Sequence, residues 1–406
     1  MSLQSKEFTD VFSNSNKLPE NTKEGITSND VRSELRYADR TVKDDAEDYV
    51  FLRPHRHSGK KRRKHHRKKM KTYKKIILAV LITLLSIVVI LVGTFAFLVY
   101  NGSQQLLKNE SIITAPEIEN VTLQNNGETV IYNGKEYQYN KNITSILCMG
   151  VDKEQLADTQ SELIGQSGQA DVIILMAMDT LTGKTTLLNV SRDTMTDIAV
   201  YSHSGSYVET INAQLCLAYA YGDGKETSCE NTVTAVQRLF YNIPINSYFA
   251  LDLDGIAALN DCVGGIDVVS PETIGNFVEG ESYHLEGDTA ESFVRSRSHE
   301  TADGNSNRMQ RQQVYLNSFM DKIISQSKED IMTPVNLFNE SAAYSCTNLN
   351  PSKVCYLAEN ILLNGGMSIE MKTVPGEVKQ GEVYAEYYIN EDEFYEMFLE
   401  TFYTPV

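Results

Sequence analysis

An uncharged apolar run at residues 76–100, IILAVLITLLSIVVILVGTFAFLVY, restricts the possible folds of this 406-residue chain more than any other stretch. A helix rises roughly 1.5 Å per residue, so these 25 residues exceed a bilayer core of roughly 30 Å. A cleaved signal peptide would lie nearer the N-terminus and have a shorter apolar stretch. The sequence therefore predicts a single transmembrane helix at residues 76–100.

The residues before this run indicate its orientation. Residues 53–75 form a polybasic juxtamembrane segment with thirteen Lys and Arg residues, and few cations follow the apolar run. The positive-inside rule predicts a single-pass protein of the cell membrane, with residues 1–75 in the cytoplasm and the rest outside. The segment also favours anionic lipid headgroups, and read alone it could be a nuclear-localisation or nucleic-acid patch. Residues 1–52 are polar and acidic, and we expect a disordered cytoplasmic tail.

The formal net charge of −17 is unevenly distributed. Residues 1–100 hold 20 Lys and Arg against 11 Asp and Glu, whereas residues 101–406 hold 17 against 43. An outer domain with such an excess of carboxylates repels nucleic acid, so we expect no nucleic-acid partner for it.

All six cysteines also lie in the outer part, where disulfides can form. On proximity along the chain we prefer the pairs Cys216/Cys229 and Cys346/Cys355. Cys148 lies in an apolar run and is expected to be a free, buried thiol. The cysteine and histidine spacing does not indicate a zinc site.

Beyond residue 100 the pattern indicates a stalk, a hairpin and then an α/β domain. Residues 101–140 are assigned to an extracellular stalk and hairpin, because Asn133-Gly134 within an alternating segment predicts a type I′ turn. Over residues 141–380, strand-like apolar runs alternate with helical segments, which favours a mixed central sheet flanked by helices. Residues 381–406 form an acidic, aromatic C-terminal segment. Its tyrosines could stack on sugars, but surface or interface packing is the preferred interpretation; they are Tyr384, Tyr387, Tyr388, Tyr395 and Tyr403.

Arginine is scarce in the outer domain but concentrated in one stretch. Of the six arginines after residue 100, four lie within residues 293–313, FVRSRSHETADGNSNRMQRQQ. Arg295 and Arg297 point to the same side if this segment is extended, and Arg308 shares a helix face with Gln312. Guanidinium groups match phosphate or carboxylate oxygens bidentately, so the cluster predicts an anionic ligand. Surface salt bridges to the many Asp and Glu residues are the alternative.

Eight short motifs follow one another over about residues 142–325, behind the predicted transmembrane segment: GVD, AD at the head of an apolar strand, SRD, INA, YFALDLDGIAALNDCVGGIDV, L-x-G, VRSR and RMQRQQ. This order resembles the LytR-CpsA-Psr family of bacterial cell-wall proteins. The resemblance implies a membrane-anchored phosphotransferase that attaches a glycopolymer, of teichoic acid or capsule type, from polyprenyl pyrophosphate to peptidoglycan. It also implies a divalent cation, Mg²⁺ or Mn²⁺, and an apolar tunnel for the lipid.

Carried over residue by residue, the resemblance implies roles for nine side chains. The assignments are metal binding by Asp152 and Asp171, catalysis by Arg192, Asp193, Arg295 and Arg297, and phosphate binding by Arg308, Arg311 and Gln312. The chemistry agrees, because Mg²⁺ binds through one or two carboxylates plus phosphate oxygens, and cations stabilise a departing lipid phosphate. Asp193 either acts as a base or orients an arginine. The orienting role is preferred, because nearby arginines make a carboxylate a poorer base.

Three positions depart from the family pattern. Gln169 stands where an arginine is usual, Ser191 replaces a proline, and Asn305 replaces an acidic residue. Activity is still expected, because the remaining arginines and both metal-side carboxylates are present. Two alternatives stay open: a non-enzymatic cell-envelope regulator or binding module, and a polyprenyl-pyrophosphate phosphohydrolase that uses water as the acceptor.

Overall fold

The computed structural model of the chain describes residues 62–107, 112–116, 118–153, 168–202, 204–296, 304–330, 333–364, 368–381 and 384–406. The predicted cytoplasmic tail, much of the polybasic segment and Arg297 lie outside the described residues. The chain divides into two compact units, Met1–Tyr73 and Lys74–Val406. Every element discussed below lies in the second unit, except the first turns of the first helix.

Helices and strands alternate along most of the second unit. The helices are α1 (Arg62–Leu106), α2 (Leu217–Ala220), α3 (Glu226–Leu239), α4 (Leu253–Cys262), α5 (Asp288–Arg295), α6 (Gly304–Glu329), α7 (Thr333–Ser341), α8 (Pro351–Leu363) and α9 (Glu391–Phe402). The strands are β1 (Val121–Gln124), β2 (Thr129–Tyr132), β3 (Lys135–Tyr139), β4 (Ile143–Val151), β5 (Ala170–Asp179), β6 (Lys184–Val190), β7 (Met195–Tyr201), β8 (Tyr207–Gln214), β9 (Ser247–Leu251), β10 (Ile266–Val269), β11 (Ser282–Leu285), β12 (Ser345–Thr347), β13 (Ser368–Thr373), β14 (Gly376–Gln380), β15 (Ala385–Ile389) and β16 (Tyr403–Pro405).

A six-stranded mixed sheet forms the centre, in the order β12-β9-β4-β5-β6-β13. Strands β4, β5 and β6 are successively antiparallel, whereas β9 lies parallel to β4 and β13 lies parallel to β6. The sequences of β4 and β5, ITSILCMGV and ADVIILMAMD, are apolar on both faces, which suits strands covered on both sides. The predicted mixed sheet flanked by helices is confirmed.

Two hydrophobic clusters cover this sheet and its neighbours. The larger cluster packs α3 and α9 on the sheet through Phe240, Phe394 and Phe402. The smaller one joins α4, α5 and α6 to β10 and β11, and includes Phe293 and Tyr315. Helices α4, α5 and α6 thus pack on one another in the second cluster. A cavity can therefore remain between these helices and the central sheet.

Helix α1 is long and apolar enough to cross a membrane over Lys71–Leu106. It continues into the domain, where Leu106 is fully buried. A Cβ atom at Gly102 would overlap the carbonyl oxygen of Ser352 in α8, so only glycine permits this approach. The predicted stalk is therefore wrong for residues 101–106, which extend α1 and pack against α8.

The N-terminal hairpin follows the sequence prediction. Asn133 and Gly134 connect β2 to β3 with φ angles of 50° and 76°, as a type I′ turn requires. These strands join β1 and β16 in a four-stranded sheet, in the order β1-β2-β3-β16. The end of the chain is thus paired with the beginning of the folded domain.

The aromatic C-terminal segment contributes to the core. Tyr395 and Tyr403 are 1% and 4% exposed, because α9 and β16 close the larger hydrophobic cluster. The expected surface or interface packing is wrong for these two tyrosines. Tyr384 and Tyr388, by contrast, are exposed.

All six cysteines are free thiols, and the two preferred disulfide pairs are wrong. Cys229 on α3 shares a side-chain hydrogen bond with Cys346 on the edge strand β12. Cys216 Sγ lies 3.3 Å from Nη2 of Arg192. Residues close in sequence lie on different elements here, so proximity along the chain did not predict proximity in space.

Candidate active site

A cavity of about 560 Å³ lies between the central sheet and helices α4 and α6. The sheet contributes Val172 and Phe249 to its wall, and α6 contributes Leu316, Phe319 and Met320. Charged residues also line it: Asp152, Asp171, Asp252, Arg295 and Arg308. A chamber with apolar walls and a group of charges suits a ligand with an apolar chain and an ionic end.

The two carboxylates that are predicted to bind a metal lie at the same end of the neighbouring strands β4 and β5. Asp152 directly follows β4 and Asp171 lies at the start of β5. Because the two strands are antiparallel, the end of one faces the beginning of the other. The amide of Asp152 donates to the Gln169 carbonyl oxygen at 3.1 Å, which joins the two chain segments.

Asp171 accepts hydrogen bonds from two guanidinium groups. Arg192 donates from Nη1 to Oδ1, and Arg308 Nη1 lies 3.3 Å from Oδ2. Arg192 also donates from Nη2 to Gln169 Oε1, so the glutamine that replaces the usual arginine orients Arg192. Arg308 is only 3% exposed. The two guanidinium groups thus converge at this corner of the cavity, and converging guanidinium groups can bind phosphate oxygens.

Arg295 lies at the C-terminal end of α5, beside Asp152. Its Nη2 atom is 3.6 Å from Asp152 Oδ1, and its Nη1 atom donates to Glu291 Oε1 at 3.0 Å. The side chains of Arg295 and Asp152 are 54% and 52% exposed, so solvent screens this pair and a ligand can reach it. Arg297 lies outside the described residues, and its predicted role stays a prediction.

Arg311 lies in a different environment from Arg308. Its guanidinium is fully buried and donates to Glu272 Oε1, to the Phe293 carbonyl oxygen at 2.9 Å and to the Ser296 carbonyl oxygen. Burial lowers the pKa of Arg311, although a guanidinium stays protonated in proteins. These contacts use its donors within the protein, and they hold the end of α5 that carries Arg295. Arg311 thus supports the end of α5, and its predicted contact with phosphate stays a prediction.

Asp193 connects the site to the hairpin β14–β15. Gln214 Nε2 donates to Asp193 Oδ1 at 3.3 Å, and Arg192 Nε lies 3.5 Å from the same oxygen. The carbonyl oxygen of Asp193 accepts from the amide of Tyr387 at 2.8 Å. These contacts hold the carboxylate against an arginine, which supports the orienting role over the general-base role.

Comparison with known proteins identifies the family of this chain. Residues 103–402 match the model of the LytR_cpsA_psr family. The chain belongs to the LytR_cpsA_psr family. The resemblance inferred from eight motifs is thereby confirmed, and the match extends on both sides of the motif region.

Two curated relatives of this LytR_cpsA_psr protein are named polyisoprenyl-teichoic acid–peptidoglycan teichoic acid transferase TagU. The protein from Enterococcus faecalis is 27% identical over 205 residues, covering 48% of this chain and 60% of the relative. The protein from Bacillus cereus is 30% identical over 182 residues, covering 44% and 52%. The chain thus spans between half and two thirds of the length of these relatives. The crystal structure of Bacillus subtilis TagV matches with a TM-score of 0.50 at 22% identity, covering 64% of this chain and 98% of TagV, which supports the fold.

Asp152 and Asp171 are also the candidate metal ligands of this LytR_cpsA_psr domain. They offer hard carboxylate oxygens, and Mg²⁺ commonly binds through one or two carboxylates together with water and phosphate oxygens. Within the described ranges, no group of three or more His, Cys, Asp or Glu side chains is arranged to hold a metal. The donor set fits a cation shared with a substrate phosphate, and it does not form a complete protein cage.

The structure brings most of the predicted site residues together. Asp171 contacts Arg192 and Arg308, Asp152 lies beside Arg295, and Gln312 lines the same cavity while its Nε2 atom lies 3.4 Å from the Val294 carbonyl oxygen. Sequence reasoning missed Glu272 and Gln214. Neither lies in a recognisable motif, and no local signal would have identified them, because their partners are distant in sequence.

Proposed function

We propose that this chain is a membrane-anchored phosphotransferase that attaches a polyprenyl-pyrophosphate-linked glycopolymer to peptidoglycan. One observation carries the proposal: an apolar cavity has Arg192 and Arg308 gathered around Asp171, with Arg295 and Asp152 beside it. An apolar chain joined to a diphosphate is the ligand that such a site complements. The names of the curated relatives favour a teichoic acid as the polymer.

The polyprenyl chain would occupy the apolar part of the cavity, against α6 and the sheet. Burial of its methylene groups stabilises the complex by about 0.8 kcal/mol for each group. The pyrophosphate would then lie at the charged residues, where Arg192, Arg295 and Arg308 neutralise its oxygens. Arg311 keeps Arg295 in place through the end of α5.

The transfer itself requires one bond exchange at phosphorus. The acceptor hydroxyl oxygen forms a bond to the phosphorus that carries the glycopolymer, while the bond from this phosphorus to the bridging oxygen breaks. The bridging oxygen leaves as part of polyprenyl phosphate, and the hydroxyl proton passes to water or to the leaving phosphate. Fixed arginines stabilise the charge that develops, and removal of one such donor typically costs about 100-fold to 1,000-fold in rate. A Mg²⁺ or Mn²⁺ ion held by Asp152 and Asp171 would add further charge neutralisation.

The membrane arrangement follows from the same proposal. Helix α1 would anchor the protein in the cytoplasmic membrane, with the N-terminus in the cytoplasm and the LytR_cpsA_psr domain outside. That side is where lipid-linked donor and peptidoglycan meet. Cysteine labelling from outside intact cells, with the exposed Cys262 as the target, tests this orientation. Absence of labelling by a membrane-impermeant reagent would contradict it.

The activity can be tested with the full chain in lipid nanodiscs. The reaction would contain a polyprenyl-pyrophosphate-linked disaccharide, a peptidoglycan oligosaccharide and Mg²⁺, and mass spectrometry would measure the phosphodiester product and released polyprenyl phosphate. Arg295→Ala should reduce product formation at least about 100-fold. Lys184→Ala, which removes an exposed cation at the other end of β6, should retain the wild-type rate.

Other outcomes would assign other functions. Release of polyprenyl phosphate without a phosphodiester product would identify a phosphohydrolase. Failure to consume the donor, in a preparation that is folded and binds Mg²⁺, would favour a regulator or binding module. An Arg295→Ala variant with wild-type turnover would contradict the proposed role of the arginines.

A further inference from the structure

Two hairpins, β7–β8 and β14–β15, meet beside the candidate active site. Their exposed surface takes no part in binding the donor in the proposed reaction. A parallel β-bridge joins Tyr387 of β15 to Thr194, the residue directly before β7. The amide of Tyr387 donates to the Asp193 carbonyl oxygen at 2.8 Å, and Gln214 Nε2 donates to the Ala385 carbonyl oxygen at 2.7 Å. Hairpin β14–β15 is therefore attached edge to edge to hairpin β7–β8.

Alternation along the strands separates the two faces of this pair of hairpins. Thr194, Thr196 and Ile198 are buried on the side of α3. Tyr387 shares that inner side, because it is bridged to Thr194 and its hydroxyl donates to the Val374 carbonyl oxygen at 2.7 Å. Successive side chains along a strand point to opposite faces. The side chains that alternate with these residues along β7 and β15 therefore point to the opposite side.

We call this opposite side the outer face. From the SRD motif and β7 it carries Asp193 and Asp197, and from the facing strand β8 it carries Gln214 and Asn212. Side chains across the strands contact one another, since Asn212 Nδ2 lies 3.4 Å from Asp197 Oδ1 and Gln214 bonds to Asp193. The alternation also places Glu386 and Tyr388 of β15 on the outer face, with Tyr384 preceding them.

The outer face combines aromatic rings with amide and carboxylate groups. Tyr384 and Tyr388 are 70% and 37% exposed, and Lys379 Nζ lies 4.8 Å from the Tyr388 ring centroid. Aromatic rings present broad apolar surfaces that can cover the C–H face of a sugar. Asn and Gln amides offer both donors and acceptors, which match sugar hydroxyl and acetamido groups.

One end of the outer face lies beside the site at which the acceptor hydroxyl must attack. Asp193 belongs to it and also contacts Arg192, whose other nitrogen atoms bond to Gln169 and to Asp171, which lines the cavity. Phosphoryl transfer places the attacking and leaving oxygens roughly in line. If the leaving polyprenyl phosphate lies toward the apolar cavity, the attacking hydroxyl must come from the opposite side of the phosphorus.

We propose that the outer face binds the acceptor, a neutral glycan strand of N-acetylated hexosamines such as that of peptidoglycan; the inference rests on the proposed transferase function. Charge selects this occupant over the donor polymer. Asp193, Asp197 and Glu386 outnumber Lys379 on this face and would repel a polymer rich in phosphate, whereas they accept hydrogen bonds from uncharged sugars.

Binding can be measured without the transfer reaction, because the chain contains no tryptophan. Tyr388→Trp introduces a single tryptophan on the outer face of the full chain, which is held in detergent micelles and excited at a wavelength that tyrosine does not absorb. Titration with an N-acetylglucosamine tetramer should change its emission, and the additional change Asn212→Ala should weaken this binding. An unchanged emission up to millimolar oligosaccharide would overturn the proposal. A response to poly(glycerol phosphate) instead would assign the face to the donor polymer and would also overturn it.

Kinetics provide the second readout. The double variant Tyr384→Ala/Tyr388→Ala should raise KM for the peptidoglycan oligosaccharide about tenfold, as expected for the loss of two aromatic contacts. KM for the lipid-linked donor should stay unchanged. Leu181→Ala, which removes an exposed apolar side chain in the β5–β6 turn, at the opposite end of β5 from Asp171, should leave both values at the wild-type level.

The two proposals can fail separately. If the chain shows no transfer but the Tyr388→Trp signal responds to the neutral oligosaccharide, the transferase function fails and the glycan-binding face stands. If transfer occurs with an unchanged acceptor KM in the double tyrosine variant, the acceptor face is wrong and the transferase function stands.

Discussion

Arg308 and Arg311 are one helical turn apart on α6, yet their surroundings differ in kind. Arg308 lines the apolar cavity and shares Asp171 with Arg192, whereas Arg311 is paired with Glu272 and two backbone carbonyl groups. Both are almost fully buried, at 3% and 0% exposure. Burial alone therefore does not separate a ligand-binding arginine from a positioning one.

The difference lies in how each charge is balanced. Arg192 and Arg308 share Asp171, Arg192 also contacts Asp193, and Arg308 lines the cavity, where a phosphate can reach it. At Arg311 one carboxylate and the backbone carbonyl groups already engage the donors, so an added phosphate has little to bind. Arg308 and Arg192 are thus suited to neutralise the substrate, and Arg311 is suited to hold the end of α5.

The largest effect expected from this comparison is on catalysis at Arg308. Arg308→Ala removes a cation from the pyrophosphate site and should lower kcat/KM for transfer about 100-fold to 1,000-fold. The protein should stay folded, because Asp171 keeps its bond to Arg192. Transfer kinetics together with thermal unfolding of the full chain in nanodiscs measure both effects. Wild-type kinetics in Arg308→Ala would remove the distinction between the two arginines.

Arg311→Ala should act mainly on stability. It leaves Glu272 with an uncompensated charge in a largely buried site, which typically lowers the free energy of unfolding by about 3–5 kcal/mol. Denaturant unfolding measures this change, and the double variant Arg311→Leu/Glu272→Leu should recover much of it. A stable Arg311→Ala protein that has lost phosphate binding would show that Arg311 contacts the substrate after all.

The paired carboxylates should show the same division. Asp171→Asn should weaken Mg²⁺ binding in the presence of pyrophosphate by about tenfold or more. It should also lower the free energy of unfolding, because Arg192 and the buried Arg308 lose the carboxylate that they share. Glu272→Gln should lower the free energy of unfolding by about 1–3 kcal/mol and leave Mg²⁺ affinity at the wild-type level. Isothermal calorimetry and denaturant unfolding separate the two variants. Equal Mg²⁺ affinity in both would contradict metal binding at Asp171.

The smallest expected effect is at Gln169. Its amide oxygen accepts from Arg192 Nη2, and Gln169→Ala removes this bond without touching Asp171. Loss of one such hydrogen bond costs about 1 kcal/mol, which corresponds to roughly a fivefold decrease in kcat/KM. The melting temperature should fall by no more than about a few degrees. A decrease as large as that of Arg308→Ala would mean that Gln169 contacts the substrate directly.

Parts of the fold were predictable because their signals are local. The apolar run that forms most of α1, the hairpin at Asn133-Gly134 and the apolar strands β4 and β5 each depend on neighbouring residues. The positions of the two carboxylates at the ends of these strands were predictable in the same way. Antiparallel pairing brings them to the same end of β4 and β5.

Other features depended on residues far apart in the chain. The sequence showed that Arg311 belongs to a motif, but its partner Glu272 lies 39 residues earlier. The contact between Cys229 and Cys346 joins α3 to an edge strand, which no cysteine spacing predicted. The approach of Gly102 to Ser352 likewise required α8 to be in place.

By itself, the sequence determined the long apolar helix, the mixed α/β class and the set of charged side chains available for chemistry. Hydrophobic periodicity, turn propensity and charge act over a few residues, so they can be deduced from the chain directly. Only the tertiary structure decided which arginine contacts the cavity, which one supports α5, and which tyrosines stay exposed on the outer face. Those outcomes depend on the packing of α5, α6 and the two hairpins, and packing is a property of all the contacting elements together.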